Sequence, residues 1–146
     1  MDFTIINAGA EHIEHIERLE EECFSLPWTR DFIRSQLPDE QHIFLAAMAG
    51  EQLLGYVGMM YVVDEGYISN VAVAQSCRRR GIADALLDEL TRRAEALELA
   101  FMTLEVRESN DPAIALYAKH GFTVVGKRKN YYVFPKEDAI LMTKFF

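Results

Sequence analysis

Two hydrophobic periods alternate along the chain, and each switch between them marks an element. FTIINA reads as an opening strand, and AEHIEHIERLEEECF then places Ile13, Ile16 and Leu19 on one face with acids elsewhere, the pattern of an amphipathic helix. SLPWTRDFIRSQLP interrupts it. Pro27 stops the first helix, Thr29 can cap a short second one, and Pro38 ends that. HIFLAAMAG and LLGYVGMMYVV are apolar strands around a turn centred on Gly50, and DEG turns into a third, YISNVAV. From Gly81 to Leu97 the helical period returns, with Ile82, Leu86, Leu90, Ala94 and Leu97 as its stripe. Asp88–Arg92 and Glu89–Arg93 form i,i+4 pairs on its wet side. AFMTLEV is apolar enough for a central strand. SNDPAIALYAKHG reads as a helix with Asn110 or Asp111 as cap, Pro112 at the first helical position and Gly121 at the stop. FTVVGKRK and DAILMTKF close the chain as strands. The order is β-α-α-β-β-β-α-β-α-β-β, an α/β class. Its central strand–helix–strand implies one right-handed parallel crossover within a mixed sheet.

Composition narrows the partners. A chain of 146 residues with half of them apolar can bury a sizeable core, and no repeat, low-complexity tract or linker divides it, so residues 1–146 read as one domain. A net charge of −8 speaks against nucleic acid and membrane surfaces as partners and suits a positively charged one. The longest purely apolar run, IFLAAMA, is too short to span a bilayer, and the N-terminus lacks the basic and apolar regions of a secretory signal. Cys23 and Cys77 make no disulfide framework. The expected location is the cytoplasm. His12 and His15 lie three apart on a helix without a second ligand pair, so no metal is expected.

One stretch runs against the acidic balance. In VAVAQSCRRRGIADALL, Arg78, Arg79 and Arg80 crowd together just before Gly81 and a helix. A helix N-terminus offers unpaired N–H groups and partial positive charge, so an anion belongs there. Gly81 lets a ligand approach the backbone, and Ala83 keeps the first turn low. Neither a Walker loop nor a dinucleotide-binding glycine fingerprint is present.

Arg78-x-x-Gly81-x-Ala83, preceded by VAV and followed by LL, resembles the acetyl-CoA motif of the GCN5-related N-acetyltransferases (GNAT). LEVRESNDPAIALYAKHGF resembles the second half of that signature. CFSLPWT and KNYYVFPKEDAILM are similar to segments of the ribosomal-protein-alanine N-acetyltransferases within the family. The resemblance covers nearly the whole chain. It departs from common family forms in carrying Gln75 where a proline is frequent.

The resemblance implies a three-layer fold with about four helices around a mostly antiparallel, V-splayed sheet that holds acetyl-CoA in its opening. It implies that the backbone of Val71, Ala72 and Val73 binds the pantetheine arm as an added strand. By the same likeness, the N–H groups of Arg79, Arg80, Gly81, Ile82, Ala83 and Asp84, with Arg78, hold the pyrophosphate, and Asn110 contacts the cofactor. Glu105 matches a general base and Tyr117 a general acid near the cofactor sulfur. Leu26, Pro27, Trp28, Tyr131 and Tyr132 match residues around the acceptor entrance. Each has a plainer alternative, namely an ion pair with Arg107 for Glu105, core packing for Tyr117 and Trp28, and a helix cap for Asn110.

The implied activity is direct acetyl transfer, in a ternary complex, to the N-terminal α-amine of a protein, with the N-terminal alanine of a small-subunit ribosomal protein as the indicated acceptor. A small amine as acceptor, or a non-catalytic acyl-CoA-binding module, are the alternatives. Retention of both Glu105 and Tyr117 speaks against the last. A phenol of pKa ~10 protonates a thiolate of pKa ~8.5 only uphill, by about 2 kcal/mol, so Tyr117 is expected to work chiefly by hydrogen-bonding the sulfur.

Overall fold

IFLAAMA is apolar at every position because the strand carrying it is covered on both faces. In the computed structural model, which describes residues 2–37 and 40–146, that strand is β2 (His42–Ala49). Phe44, Ala46 and Met48 face one core cluster with Ile13, Ile16 and Leu19 of α1 (Ile13–Cys23) and Ile33 of α2 (Arg30–Gln36). Leu45 and Ala47 face the other, against Ile82, Leu86, Leu87 and Leu90 of α3 (Ile82–Ala96). The period of two along β2 thus becomes three layers, helix–sheet–helix. The remaining elements are β1 (Thr4–Asn7), β3 (Gln52–Val62), β4 (Glu65–Val73), β5 (Phe101–Arg107), α4 (Asp111–Lys119), β6 (Thr123–Val133) and β7 (Lys136–Phe145). Their order is the expected one.

The strands form one sheet in the order β1-β2-β3-β4-β5-β7-β6. Every neighbouring pair is antiparallel except β4 and β5, which α3 connects as a parallel crossover. That parallel pairing is short. Glu65, Gly66 and Tyr67 register with Phe101, Met102 and Thr103, and no further residues pair. Beyond Tyr67, β4 stays with β3 as far as Val73 while β5 follows β7 to Arg107. The two central strands therefore diverge, which is the V that the resemblance implied.

Local expectations are met where caps decide them. Thr29 accepts from the Phe32 N–H at 3.2 Å, Asn110 accepts from the Ala113 N–H at 3.3 Å, and Gly121 closes α4 with φ of 90°. Pro38 lies outside the described residues. Several boundaries differ. α1 ends at Cys23, ahead of Pro27. The turn assigned to DEG sits earlier, with Val63 at φ 56° and β4 already begun at Glu65. Leu97 lies past the end of α3 and is exposed, and Leu87 is buried on the helix instead. Arg92 turns to Glu89 rather than Asp88, while Asp88 faces the His120 ring at 3.4 Å. The closing hairpin shows the largest difference, because β6 runs through Tyr131 and Tyr132 to Val133 instead of ending near Lys129.

Candidate active site

The divergence of β4 and β5 opens a cavity of about 490 Å³. Ile68 to Val71 form one wall and Leu104 to Arg107 the other. Glu105 projects from β5 and Tyr117 from α4 into this space, with Asn110 at the start of the same helix. Leu26 and Trp28 reach it from the loop after α1, and Tyr131 and Tyr132 from β6. Pro27 does not line it. Consecutive strand residues normally point to opposite faces. Here the register of β6 against β7 shifts between Arg128 and Tyr132, and Asn130 takes a φ of 55°. This irregularity turns both tyrosine rings to the cavity, edge to face, with centroids 5.1 Å apart.

The mouth is braced from both sides. Ser25 donates its hydroxyl hydrogen to the Phe134 carbonyl, joining the loop after α1 to the β6–β7 turn. The Arg107 guanidinium lies 4.3 Å from the centroid of the Tyr132 ring and donates to the Phe134 and Pro135 carbonyls at 2.9 and 2.8 Å. It also pairs with Glu137 at 3.2 Å, so it is not the partner of Glu105. Glu105 instead accepts from the Tyr131 hydroxyl at 3.2 Å and faces the Arg128 Nε at 3.3 Å. Both partners are about half exposed, so a ligand entering the cavity can displace them at low cost.

Tyr117 is buried, 8% exposed, and its hydroxyl hydrogen-bonds no other described residue. Burial, reinforced by the neighbouring Tyr132, pushes its pKa up to about 12. The phenol keeps its proton across the whole working range. Against a thiol of pKa ~8.5 its proton donation is now uphill by about 5 kcal/mol, more than an exposed phenol would face. What Tyr117 can offer is a fixed hydrogen-bond donor in a desolvated wall.

The arginine run lies outside the cavity lining, at the far end of the free edge of β4. Gly81 caps α3 with φ 78° and ψ 12°, a left-handed conformation that disfavours side chains, and nothing lies within 4 Å of where its Cβ would be. The backbone at the helix N-terminus is therefore uncovered on that side, which leaves room for an anion such as a phosphate. Arg79 is also left-handed, at φ 65°. Arg78, which the resemblance implied helps hold the pyrophosphate, turns back: its Nε donates to the Val73 carbonyl at 3.2 Å and its NH2 meets the Cys23 sulfur at 3.6 Å. Ala72 is buried with the α1 cluster, so only its backbone can serve a ligand. Asp84, the acid beside the loop, is held away from it by His120 at 2.7 Å and Lys119 at 3.0 Å; these contacts depress its pKa, His120 foremost. His120 thus bridges the C-terminal end of α4 to Asp84 and Asp88 on α3. Cys77 is a buried core residue, and Cys23 is the cysteine that lines the cavity.

Glu20 is the feature that the amphipathic pattern concealed among three consecutive acids. It is fully buried, 0% exposed, and accepts from the Trp28 N–H at 2.8 Å, the Asn70 amide at 2.8 Å and the Tyr56 hydroxyl. Burial is the main cause that raises its pKa above the ordinary carboxylate value. The signal was available in the period, since position 20 lies four residues after Ile16 on the buried face.

Comparison with known proteins agrees with this geometry. The model of the acetyltransferase (GNAT) family matches residues 13–122. The chain is 34% identical over 128 residues to the [ribosomal protein bS18]-alanine N-acetyltransferase of Salmonella typhimurium, covering 86% of this chain and 85% of that protein. It is 32% identical over 141 residues to the Escherichia coli protein of the same name, covering 95% of each. The crystal structure of the ribosomal-protein-S18-alanine N-acetyltransferase from Escherichia coli superposes with a TM-score of 0.91 at 29% identity, covering 99% of this chain and 94% of that one. Splayed strands, glycine-capped helix and near full-length relatives lead to one assignment: this protein is an acetyltransferase of the GNAT family, with acetyl-CoA as its co-substrate.

Proposed function

We propose that the protein, acting as one domain over residues 1–146 in the cytoplasm, acetylates the N-terminal α-amine of a protein, with the N-terminal alanine of a small-subunit ribosomal protein as its acceptor. The observation that carries this reading is a single cavity shared by Glu105 and Tyr117, with an entrance framed by Leu26, Trp28 and the Tyr131–Tyr132 pair. An aromatic-framed mouth leading to a buried end suits an extended peptide terminus better than a side chain presented from a folded surface. The relatives acting on ribosomal protein bS18 support the same acceptor class.

In this reading the free edge of β4 and the N-terminus of α3 hold acetyl-CoA, so its thioester lies between β4 and β5. The acceptor amine attacks the thioester carbon directly, the carbon–sulfur bond breaks as the amide forms, and CoA leaves as a thiolate that takes its proton from solvent. Glu105 takes the proton that the amine loses, exchanging its contacts with Tyr131 and Arg128 for the amine. Tyr117 donates a hydrogen bond to the sulfur as negative charge develops there. An α-amine of pKa ~7.8 is far easier to neutralise than a lysine amine of ~10.4, a gap of about 2.6 units or roughly 3.5 kcal/mol. Initial rates on a peptide beginning with alanine and on a polyamine, each at the same concentration, test the acceptor class. The peptide should react at least about tenfold faster, a gap of about 1.4 kcal/mol. Faster turnover of the polyamine replaces the peptide reading with a small-amine one.

A further inference from the structure

A carboxylate sealed inside an apolar cluster is costly unless it is well compensated. Glu20 has no cationic partner among the described residues, and its compensation comes wholly from hydrogen-bond donors. Two of these donors belong to residues that line the cavity, Trp28 and Asn70. Asn70 stands on β4, three residues beyond the last one paired with β5, where the V has opened. Its Nδ2 donates to Glu20 Oε2 at 2.8 Å and approaches the Tyr56 hydroxyl at 3.4 Å, so the donor end of the amide is held inward. The opposite orientation would set the amide oxygen against the carboxylate, and the charge on Glu20 therefore dictates which way the amide points. The Asn70 Oδ1 is left without a hydrogen-bond partner among the described residues, and it is not one of the sealed, unpartnered atoms of the interior.

We propose that Asn70 presents this oxygen to the N–H groups of the acceptor amine, and that Glu20 is the positioning residue that keeps it so aimed. An amine that donates one N–H to the Asn70 oxygen keeps its lone pair free to turn toward the thioester. The acyl group of the donor has no N–H, so the contact serves the acceptor and not the acyl end of acetyl-CoA. Tyr56 completes the arrangement by sharing the same carboxylate oxygen. The proposal deepens the α-amine reading and rests on it.

The test measures both kinetics and direct binding of an alanine-initiated peptide to Asn70→Ala, Glu20→Gln and the double variant. Calorimetric titration of the peptide in the presence of CoA supplies the binding constant independently of turnover. Asn70→Ala should weaken peptide binding and raise the peptide KM by roughly 3–10-fold, as expected for losing one hydrogen bond between neutral groups, with the acetyl-CoA KM within about twofold of the original. Glu20→Gln should act in the same direction, and adding it to Asn70→Ala should weaken peptide binding by less than it does alone, since the part of its effect that passes through Asn70 is already removed and only the part through the Trp28 N–H remains. Should Glu20→Gln fail to fold, Asn70→Ala decides alone, because it leaves the carboxylate its Trp28 and Tyr56 donors. Unchanged peptide binding in folded Asn70→Ala, or a loss that falls on acetyl-CoA instead, overturns the proposal. If the unaltered enzyme does not acetylate free N-termini, the α-amine reading falls and this proposal with it. Activity there combined with an unaffected Asn70→Ala removes this proposal only.

Discussion

Gly81→Asp should abolish most of the rise in melting temperature that acetyl-CoA gives the unaltered protein. A ligand that binds only the folded state stabilises it by mass action, about 2.7 kcal/mol at a hundred times its Kd. Gly81 occupies the cap of α3 at φ 78° with open space where a Cβ would point. A carboxylate placed there meets the phosphates with like charge and opposes the helix dipole that would otherwise attract them. Strain at a left-handed position costs roughly 1–2 kcal/mol by itself, so Gly81→Ala is the necessary control. That control should melt lower than the original yet keep its response to acetyl-CoA. A full response in folded Gly81→Asp would place the phosphates elsewhere.

Tyr117→Phe should lower kcat by about 10²-fold, the scale for removing one donor aimed at charge that develops in the transition state. Peptide and acetyl-CoA KM should change little, because the hydroxyl contributes mainly after the thioester has been attacked. The pH dependence separates this role from proton donation. With a pKa pushed up to about 12, the phenol stays protonated throughout the range below that value. Any alkaline fall in rate between pH 8 and 10 then belongs to another group, and Tyr117→Phe should keep the shape of the profile while lowering its height. A profile that loses its alkaline limb in Tyr117→Phe would return the proton-donor role to this tyrosine. A near-normal kcat would remove Tyr117 from the chemistry altogether.

Element order was legible because each switch of hydrophobic period coincides with a change of structure. The continuous run in β2 and the helical stripe in α3 both reflect faces that are covered in the fold. The candidate site was legible through the resemblance that the spacing around Gly81 carries, and the two residues it implied for the chemistry, Glu105 and Tyr117, line one cavity. Two features depended on tertiary placement, and a third was hidden by charge although the period carried it. Tyr131 and Tyr132 face one way only because the β6–β7 register shifts beside Asn130; the asparagine marks a residue tolerant of positive φ, but that alone reads equally as a turn ending the strand. Arg78 turns inward to the Val73 carbonyl at the end of β4, which the Cys23 thiol also approaches, and a count of charges does not reveal that contact. Glu20 is one of three adjacent acids, and charge alone suggests solvent for all of them. Helical period assigns it to the interior, where the Trp28 N–H, Tyr56 and Asn70 receive it. Its burial in turn explains why Trp28 and Asn70 are held at fixed places on the cavity wall.

The central claim is that this cavity acetylates a free protein N-terminus. Site-resolved mass spectrometry after incubation with acetyl-CoA tests it most directly, using one peptide in two forms. The first has a free N-terminal alanine and an internal lysine, and the second has the same sequence with its N-terminus blocked. Acetylation should appear on the α-amine of the first form and be far slower on the lysine of either. Equal rates on the lysine and the free N-terminus, or modification confined to the lysine, would contradict the account.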